Sequence, residues 1–363
     1  MVTPAATVIT MDLIDESRYD EQMRATVLPA LAACCEEGWM EPARAEDLPE
    51  LDHPGSLHYL CYDAAKFDDL REDGATATFR GAVVISYGFT ENARKYSELI
   101  WYFLLDGYSV CVLEHRGHGF SARDVDDPSV VWIDDWRRYV ADLAKFAETV
   151  GLRYAGDRPM ALYGHSMGGG IGAAVLERRP TLFDKTVLSC PMIAPVTAGI
   201  PNTVAGAAAG AACRMGFGKS RVAGQKRFDS TLDMGPYRGA SEARVRWYHK
   251  QRCETPEYRT NAASYQWVRE ALRLSRATLD PQACARIETP IQLFQAGRDV
   301  WVRNEPEELF VRRVREGGGQ VRFERFPDSV HEIFSMPNPV LEDYYGRIFA
   351  FLDGPVEPLD DQR

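Results

Sequence analysis

The sequence predicts an α/β protein with a mostly parallel central sheet, helices on both faces and a helical cap inserted into the chain. Three observations carry this. From about residue 57, short β-branched runs alternate with longer segments of helical period. One such run leads directly into a glycine-flanked serine, "ALYGHSMGGG" (161–170), which reads as a strand, a tight turn and a helix. The alternation then stops between about 194 and 285, where the composition changes, and resumes to the end.

In chain order, "AVVISYG" (82–88) reads as a buried strand. Asn92 to Asp106 follows as a helix with Tyr96, Leu99, Ile100, Phe103 and Leu104 on one face. "YSVCVLEH" (108–115) is the next strand. A helix from Trp132 to Val150 repeats Trp136, Tyr139, Val140, Leu143 and Phe146 at helical spacing. After strand "PMALYG" and the glycine-rich turn, a helix runs to Arg179 and ends at Pro180; "KTVLSCP" (185–191) is the following strand. The insertion is Ala/Gly-rich at first and then Arg-, Trp- and Tyr-rich. Beyond it come strand "IQLFQAG" (291–297), a helix from about Glu305, strand "VRFERF" (321–326) and a closing helix, Leu341 to Leu352. The expected division is an acidic helical extension (1–55), a core (56–193 and 286–355) and a helical cap or lid (194–285).

At 363 residues the chain is long enough to bury a large core, and a net charge of −11 argues against nucleic acid as a partner. The N-terminus has no basic segment followed by an apolar one, so no secretory signal is expected and the cytoplasm is the expected location. Thr186 to Cys213 is uncharged, but Pro191, Pro195 and Pro201 interrupt it, which argues against a membrane span. The eight cysteines lack metal-site spacing and read as reduced thiols. His115 and His118 in "EHRGHGFS" have no further ligand cluster near them, so neither a metal nor a cofactor is expected.

A serine hydroxyl needs a neighbouring base to become a nucleophile. A sharp strand-to-helix turn exposes Ser166 Oγ, and glycines two residues to either side let strand and helix approach. The alternative is an ordinary serine in a small-residue loop. In this kind of fold the acid and base follow the serine in that order. His331, in "FPDSVHEIF", lies just past the last strand, whereas His249 lies in the insertion. No Asp or Glu occurs between Ser189 and Asp229, which closes one position for the acid. Asp299 after "IQLFQAG" is the well-placed carboxylate, with a surface-turn aspartate as its plainer reading; Asp328 is too close to His331 in sequence. Two oxyanion donors are needed. Met167 N–H comes with the serine turn, and Phe89 N–H in "YGFTEN" is the candidate for the second. Glu91, Asn92 and Arg94 also fit as plain helix N-terminal residues.

"SYGFTENARKYSEL", "EHRGHGFS", "LYGHSMGGGIGAAVLERRP", "SCPMIAP", "SYQWVRE", "QAGRDVWV" and "VHEIF" occur in the same order as in α/β-hydrolases of the lysophospholipase L2 and monoacylglycerol lipase group, of serine aminopeptidase S33 type. The resemblance covers about residues 57 to 352. "SCPMIAP" together with "SYQWVRE" is the narrower part and points to the bacterial lysophospholipase L2 branch. The resemblance implies the α/β-hydrolase fold, a triad of Ser166, Asp299 and His331, oxyanion donors Phe89 and Met167, and a lid over 194–285. One departure is Tyr87-Gly88, where the family commonly has His-Gly.

Arg214 to Arg252 holds ten Lys/Arg against three acids. This basic stretch suits a phosphate headgroup or peripheral contact with the anionic inner face of a membrane, or else is a solvated helical face. Expected substrate-contacting candidates are His165, Tyr265, Trp267, Arg221 and Arg227. The expected reaction is hydrolysis of a fatty-acyl ester of a lysophospholipid or monoacylglycerol through an acyl-enzyme. The alternatives are a peptidase or small-ester hydrolase, transfer to an acceptor other than water, and a non-catalytic binding protein, which a complete triad argues against.

Overall fold

The computed structural model describes residues 12–51, 55–69 and 77–355. Among them runs an eight-stranded sheet. Its strands are β1 (Cys35–Met40), β2 (Leu57–Tyr62), β3 (Gly81–Ser86), β4 (Tyr108–Leu113), β5 (Met160–His165), β6 (Lys185–Ser189), β7 (Ile291–Ala296) and β8 (Val321–Phe326). Their spatial order is β1-β2-β4-β3-β5-β6-β7-β8. β2 runs antiparallel to β1 and to β4, and the other pairings are parallel. The register sets Ile85 beside Tyr163, Gly164 beside Leu188 and Ser189 beside Phe294, so the C-terminal ends of β3, β5, β6 and β7 line up. β3, β4, β5 and β7 are buried along their whole length, which is why they read as continuous apolar runs rather than alternating ones.

Helices cover both faces of the sheet. Arg137–Phe146 and Ser166–Arg178 place Leu143, Phe146, Ile171 and Val175 in one core; Ser97–Leu105 and Asn338–Asp353 place Ile100, Phe103, Tyr345 and Phe349 in the other. Glu177 is carried into this interior. Burial pushes its pKa up to about 8, with Arg178 and Arg286 opposing the shift. The folded chain therefore holds this proton more tightly than the unfolded one. The associated stability is complete below the ordinary 4.5 and is lost as pH rises through about 8. Glu177→Gln is expected to flatten this loss: its Tm should fall less than the wild-type's between about pH 5 and about pH 8.

The N-terminal extension differs from expectation. It is helical over residues 16–34 but then forms β1, the edge strand of the sheet. The extension also grips the 194–285 segment. Tyr19 meets Trp247 of helix Glu242–Glu254 edge-on at 6.2 Å, and Ser241 Oγ donates to Glu16 at 2.5 Å. Arg244 on the same helix is buried and donates to both oxygens of Glu98 at 2.8 and 2.7 Å. Glu98 also accepts from Tyr19 Oη and Tyr102 Oη, each at 2.8 Å.

Within residues 194–285 the other long helices are Asn202–Ala212 and Tyr265–Thr278. A two-residue parallel pairing, Val130–Val131 with Ala262–Ala263, ties this segment to the core. Among the described residues, no helix is long and apolar enough to cross a membrane.

Candidate active site

β5 ends at His165, and helix Ser166–Arg178 begins at the next residue. No connecting loop separates them, so the backbone must reverse within one residue. Ser166 takes φ +51°, a left-handed conformation that a side chain makes costly. Gly168 shows why the flanking residues are small: a Cβ there would lie 2.0 Å from the Ser86 carbonyl oxygen. The turn is therefore packed directly against the end of β3.

Asp299 sits in the loop after β7 and His331 in the loop after β8. His331 Nδ1 and Asp299 Oδ2 are 2.5 Å apart, with both side chains almost wholly enclosed. The other oxygen, Oδ1, accepts from the backbone N–H of Trp301 at 2.8 Å and of Val302 at 2.9 Å. Burial opposes the charge on Asp299, but His331 and these two donors outweigh it and hold the pKa below the ordinary value. The carboxylate is thus fixed as an anion facing the imidazole. The His331 ring lies 4.8 Å from that of His165, the neighbour of Ser166, so the loop after β8 reaches back across the sheet to the end of β5. Among the described residues the Ser166 hydroxyl has no hydrogen-bond partner.

The loop after β3 lies against the serine. A Cβ on Gly88 would come within 3.0 Å of Ser166 Cβ and 2.8 Å of Glu91 Oε2. The Phe89 N–H makes no hydrogen bond among the described residues, and Met167 is the second residue of its helix, where N–H groups lack an intrahelical acceptor. Glu91 is more than a helix N-terminal residue. It accepts from Gly88 N and from Tyr96 Oη, each at 2.6 Å, and pairs with Lys95 at 2.8 Å. Its burial works against ionisation, yet Lys95 and His165 bring its pKa down to about 2. Tyr87 points the other way, its oxygen accepting from His115 N at 3.0 Å.

Sequence reasoning missed Cys190. It follows β6, is fully buried, and has φ +46°. Its Sγ, an Asp299 oxygen and a His331 nitrogen all lie within 4.8 Å of one another. Burial, and then the Asp299 charge, push its thiol pKa well up, so a neutral thiol backs the Asp299–His331 pair. In sequence, the stretch between Ser189 and Asp229 shows only that it lacks a carboxylate, and nothing in it singles out a thiol. Among the described residues, the groups that could hold a metal do not include His115 or His118. His115 Nε2 meets Ser86 Oγ and His118 Nδ1 meets Arg116 O, both at 3.0 Å, and burial lowers their pKa values to about 3 and about 4.

The remaining candidates separate by position. Trp267, on helix Tyr265–Thr278, lies over Phe89 with ring centroids 4.0 Å apart, bringing the 194–285 segment onto the loop after β3. Tyr265 Oη accepts from Ala223 N at 3.1 Å and braces the irregular chain that precedes the helix. Arg221 is tied to Asp127 at 2.9 Å and Ser129 Oγ at 2.6 Å, so its charge is used inside the protein. Arg227 is exposed. His165 is fully enclosed: Nδ1 meets Ser189 O at 3.1 Å, and burial lowers its pKa to about 3. The basic stretch also yields less free charge than its composition suggested. Arg244, Arg221, Arg246 and Lys250 are in ion pairs, and Arg252 is bonded to the carbonyls of Tyr258 and Thr260. Arg214, Lys219, Lys226, Arg227 and Arg238 remain at the surface.

Residues 77–338 match the family model described as serine aminopeptidase, S33. The chain is 26% identical over 231 residues to a probable lysophospholipase L2 of Haemophilus influenzae, covering 62% of this chain and 70% of that protein. It is 29% identical over 150 residues to a monoglyceride lipase of Mus musculus, covering 41% of this chain and 44% of that one. Among solved structures, a thermostable carboxyl esterase from Bacillus coagulans superposes with a TM-score of 0.68 at 16% identity, over 88% of this chain and 98% of that one. That likeness shows the α/β-hydrolase fold, which the strand order and the serine turn also define. The chain belongs to the serine aminopeptidase S33 family of α/β-hydrolases.

Proposed function

We propose that the protein is a serine hydrolase that cleaves the fatty-acyl ester of a lysophospholipid or monoacylglycerol. The observation that carries the reading is the Asp299–His331 pair, 2.5 Å apart, at the strand ends beside a serine held at φ +51°. His331 takes the Ser166 proton as Oγ attacks the ester carbonyl, and Asp299 stabilises the resulting imidazolium. The alkoxide is received by the Phe89 and Met167 N–H groups. Collapse releases glycerol or its phosphodiester, water attacks the acyl-enzyme with His331 as base, and the fatty acid leaves. The names of the relatives support an ester as substrate.

The surface beside the acid loop supports a lipid-borne substrate. Val196, Ile200, Val204, Val300 and Trp301 are exposed, and Val196 N donates to Trp301 O at 2.8 Å, joining the start of the cap to the Asp299 loop. This exposed apolar surface, on a chain whose 194–285 segment also exposes Arg214, Lys219, Lys226, Arg227 and Arg238, suits peripheral contact with an anionic bilayer. The experiment is a release assay comparing a lysophospholipid, a monoacylglycerol, a short p-nitrophenyl ester and a proline amide, with and without vesicles containing anionic lipid. The expected result is turnover of the long-chain esters that rises with vesicles. Turnover confined to the amide would replace this reading with a peptidase.

A further inference from the structure

Beneath the site lies a buried charge cluster that acid–base chemistry on Ser166 does not use. Lys95 Nζ donates to Glu91 Oε1 at 2.8 Å and to Glu332 Oε1 at 2.5 Å, with all three side chains largely enclosed. Burial alone would drive the Lys95 proton off, but Glu332 and Glu91 reverse this and hold it charged. Each carboxylate is bound to a different part of the site. Glu91 accepts from Gly88 N at 2.6 Å, and its own N–H donates to Gly88 O at 3.3 Å. The second bond orients the Gly88–Phe89 peptide, whose N–H belongs to Phe89. Glu332 follows His331 directly and is braced by Ser335, whose N–H donates to its carbonyl at 2.8 Å. Lys95 also stands over the ring of Tyr248, on cap helix Glu242–Glu254, at 4.7 Å, and Tyr248 Oη accepts from Asn92 at 3.1 Å.

We infer that Lys95 is a positioning residue: through Glu91 and Glu332 its ammonium sets the Phe89 oxyanion donor and the His331 base loop in register with each other. A buried cation between two carboxylates is costly unless its geometry is used, and this one joins loops 237 residues apart in sequence. Its effect falls on the transition state, because the Phe89 N–H meets full negative charge only there. The inference rests on the serine-hydrolase reading proposed above, in which Ser166 is the nucleophile and Phe89 N–H an oxyanion donor.

The test compares wild type, Lys95→Met, Lys95→Arg and Glu332→Gln. The readouts are kcat and KM on a p-nitrophenyl ester and the rate of Ser166 labelling by a fluorophosphonate. Lys95→Met should lower kcat about 30- to 100-fold, with KM changed less than about threefold and labelling slowed in parallel. Lys95→Arg should recover most of that loss. Glu332→Gln, which keeps an acceptor but not the charge, should lose about three- to tenfold in kcat, and it serves as the test if Lys95→Met does not fold. A kcat within about twofold of wild type in Lys95→Met, or in Glu332→Gln alone, overturns the inference. So does an equal loss in the Arg and Met variants, which is the mark of a purely structural lysine. Failure of the underlying reading looks different: wild-type Ser166 itself would then not label.

Discussion

Ser166→Ala is expected to lower kcat on a fatty-acyl ester by about a million-fold, leaving only what binding and the oxyanion donors supply. The size follows from the geometry. Ser166 stands at φ +51° on a turn packed against the Ser86 carbonyl, so no neighbouring side chain can take over its position. Substrate affinity should stay within a few-fold, since removing one hydroxyl leaves the pocket walls in place. Steady-state turnover of the p-nitrophenyl ester, with fluorophosphonate labelling as a second readout, checks this. Persistent labelling of the alanine variant would remove Ser166 from the nucleophile's role.

Asp299→Asn is expected to cost about ten-thousand-fold in kcat. The amide keeps the size of the carboxylate, but it leaves His331 without an anion to stabilise the imidazolium and favours the wrong tautomer. The two backbone donors on Oδ1, Trp301 and Val302 N–H, will hold the amide with its oxygen towards them. Its NH2 then faces His331 Nδ1, which forces the proton onto the nitrogen that should act as base. Cys190 offers no rescue despite its proximity, because burial, the largest cause of its raised pKa, keeps its thiol neutral once the Asp299 charge is gone. A loss of only a few-fold in kcat would move the acid elsewhere.

The parts of this molecule legible in sequence are those set by local pattern. β3 to β7 read as apolar runs because both faces of each strand are covered, and the serine turn reads from its glycines because a Cβ would meet backbone there. β1 was not legible: six residues with two glutamates and a glycine carry no strand pattern, and the strand exists because β2 offers an edge. The charge clusters were hidden for a similar reason. Arg244 belongs by composition to a basic surface, yet Glu98, 146 residues earlier, draws it into the interior. Glu91 fits a plain helix N-terminal residue by sequence, and Lys95 lies within the same expected helix; Glu332, which pairs with Lys95, comes from 237 residues away. The spacing of residues along the chain says nothing about such long-range pairings; only the folded sheet brings them together.

The most direct measurement of the central claim is acid quenching of the protein during turnover of a long-chain monoacylglycerol, followed by intact and peptide mass spectrometry. The account predicts one fatty-acyl adduct per chain, on the peptide that contains Ser166, absent from Ser166→Ala and more abundant when the deacylating step is slowed. Turnover with no adduct at any quench time, or an adduct on another residue, would contradict it.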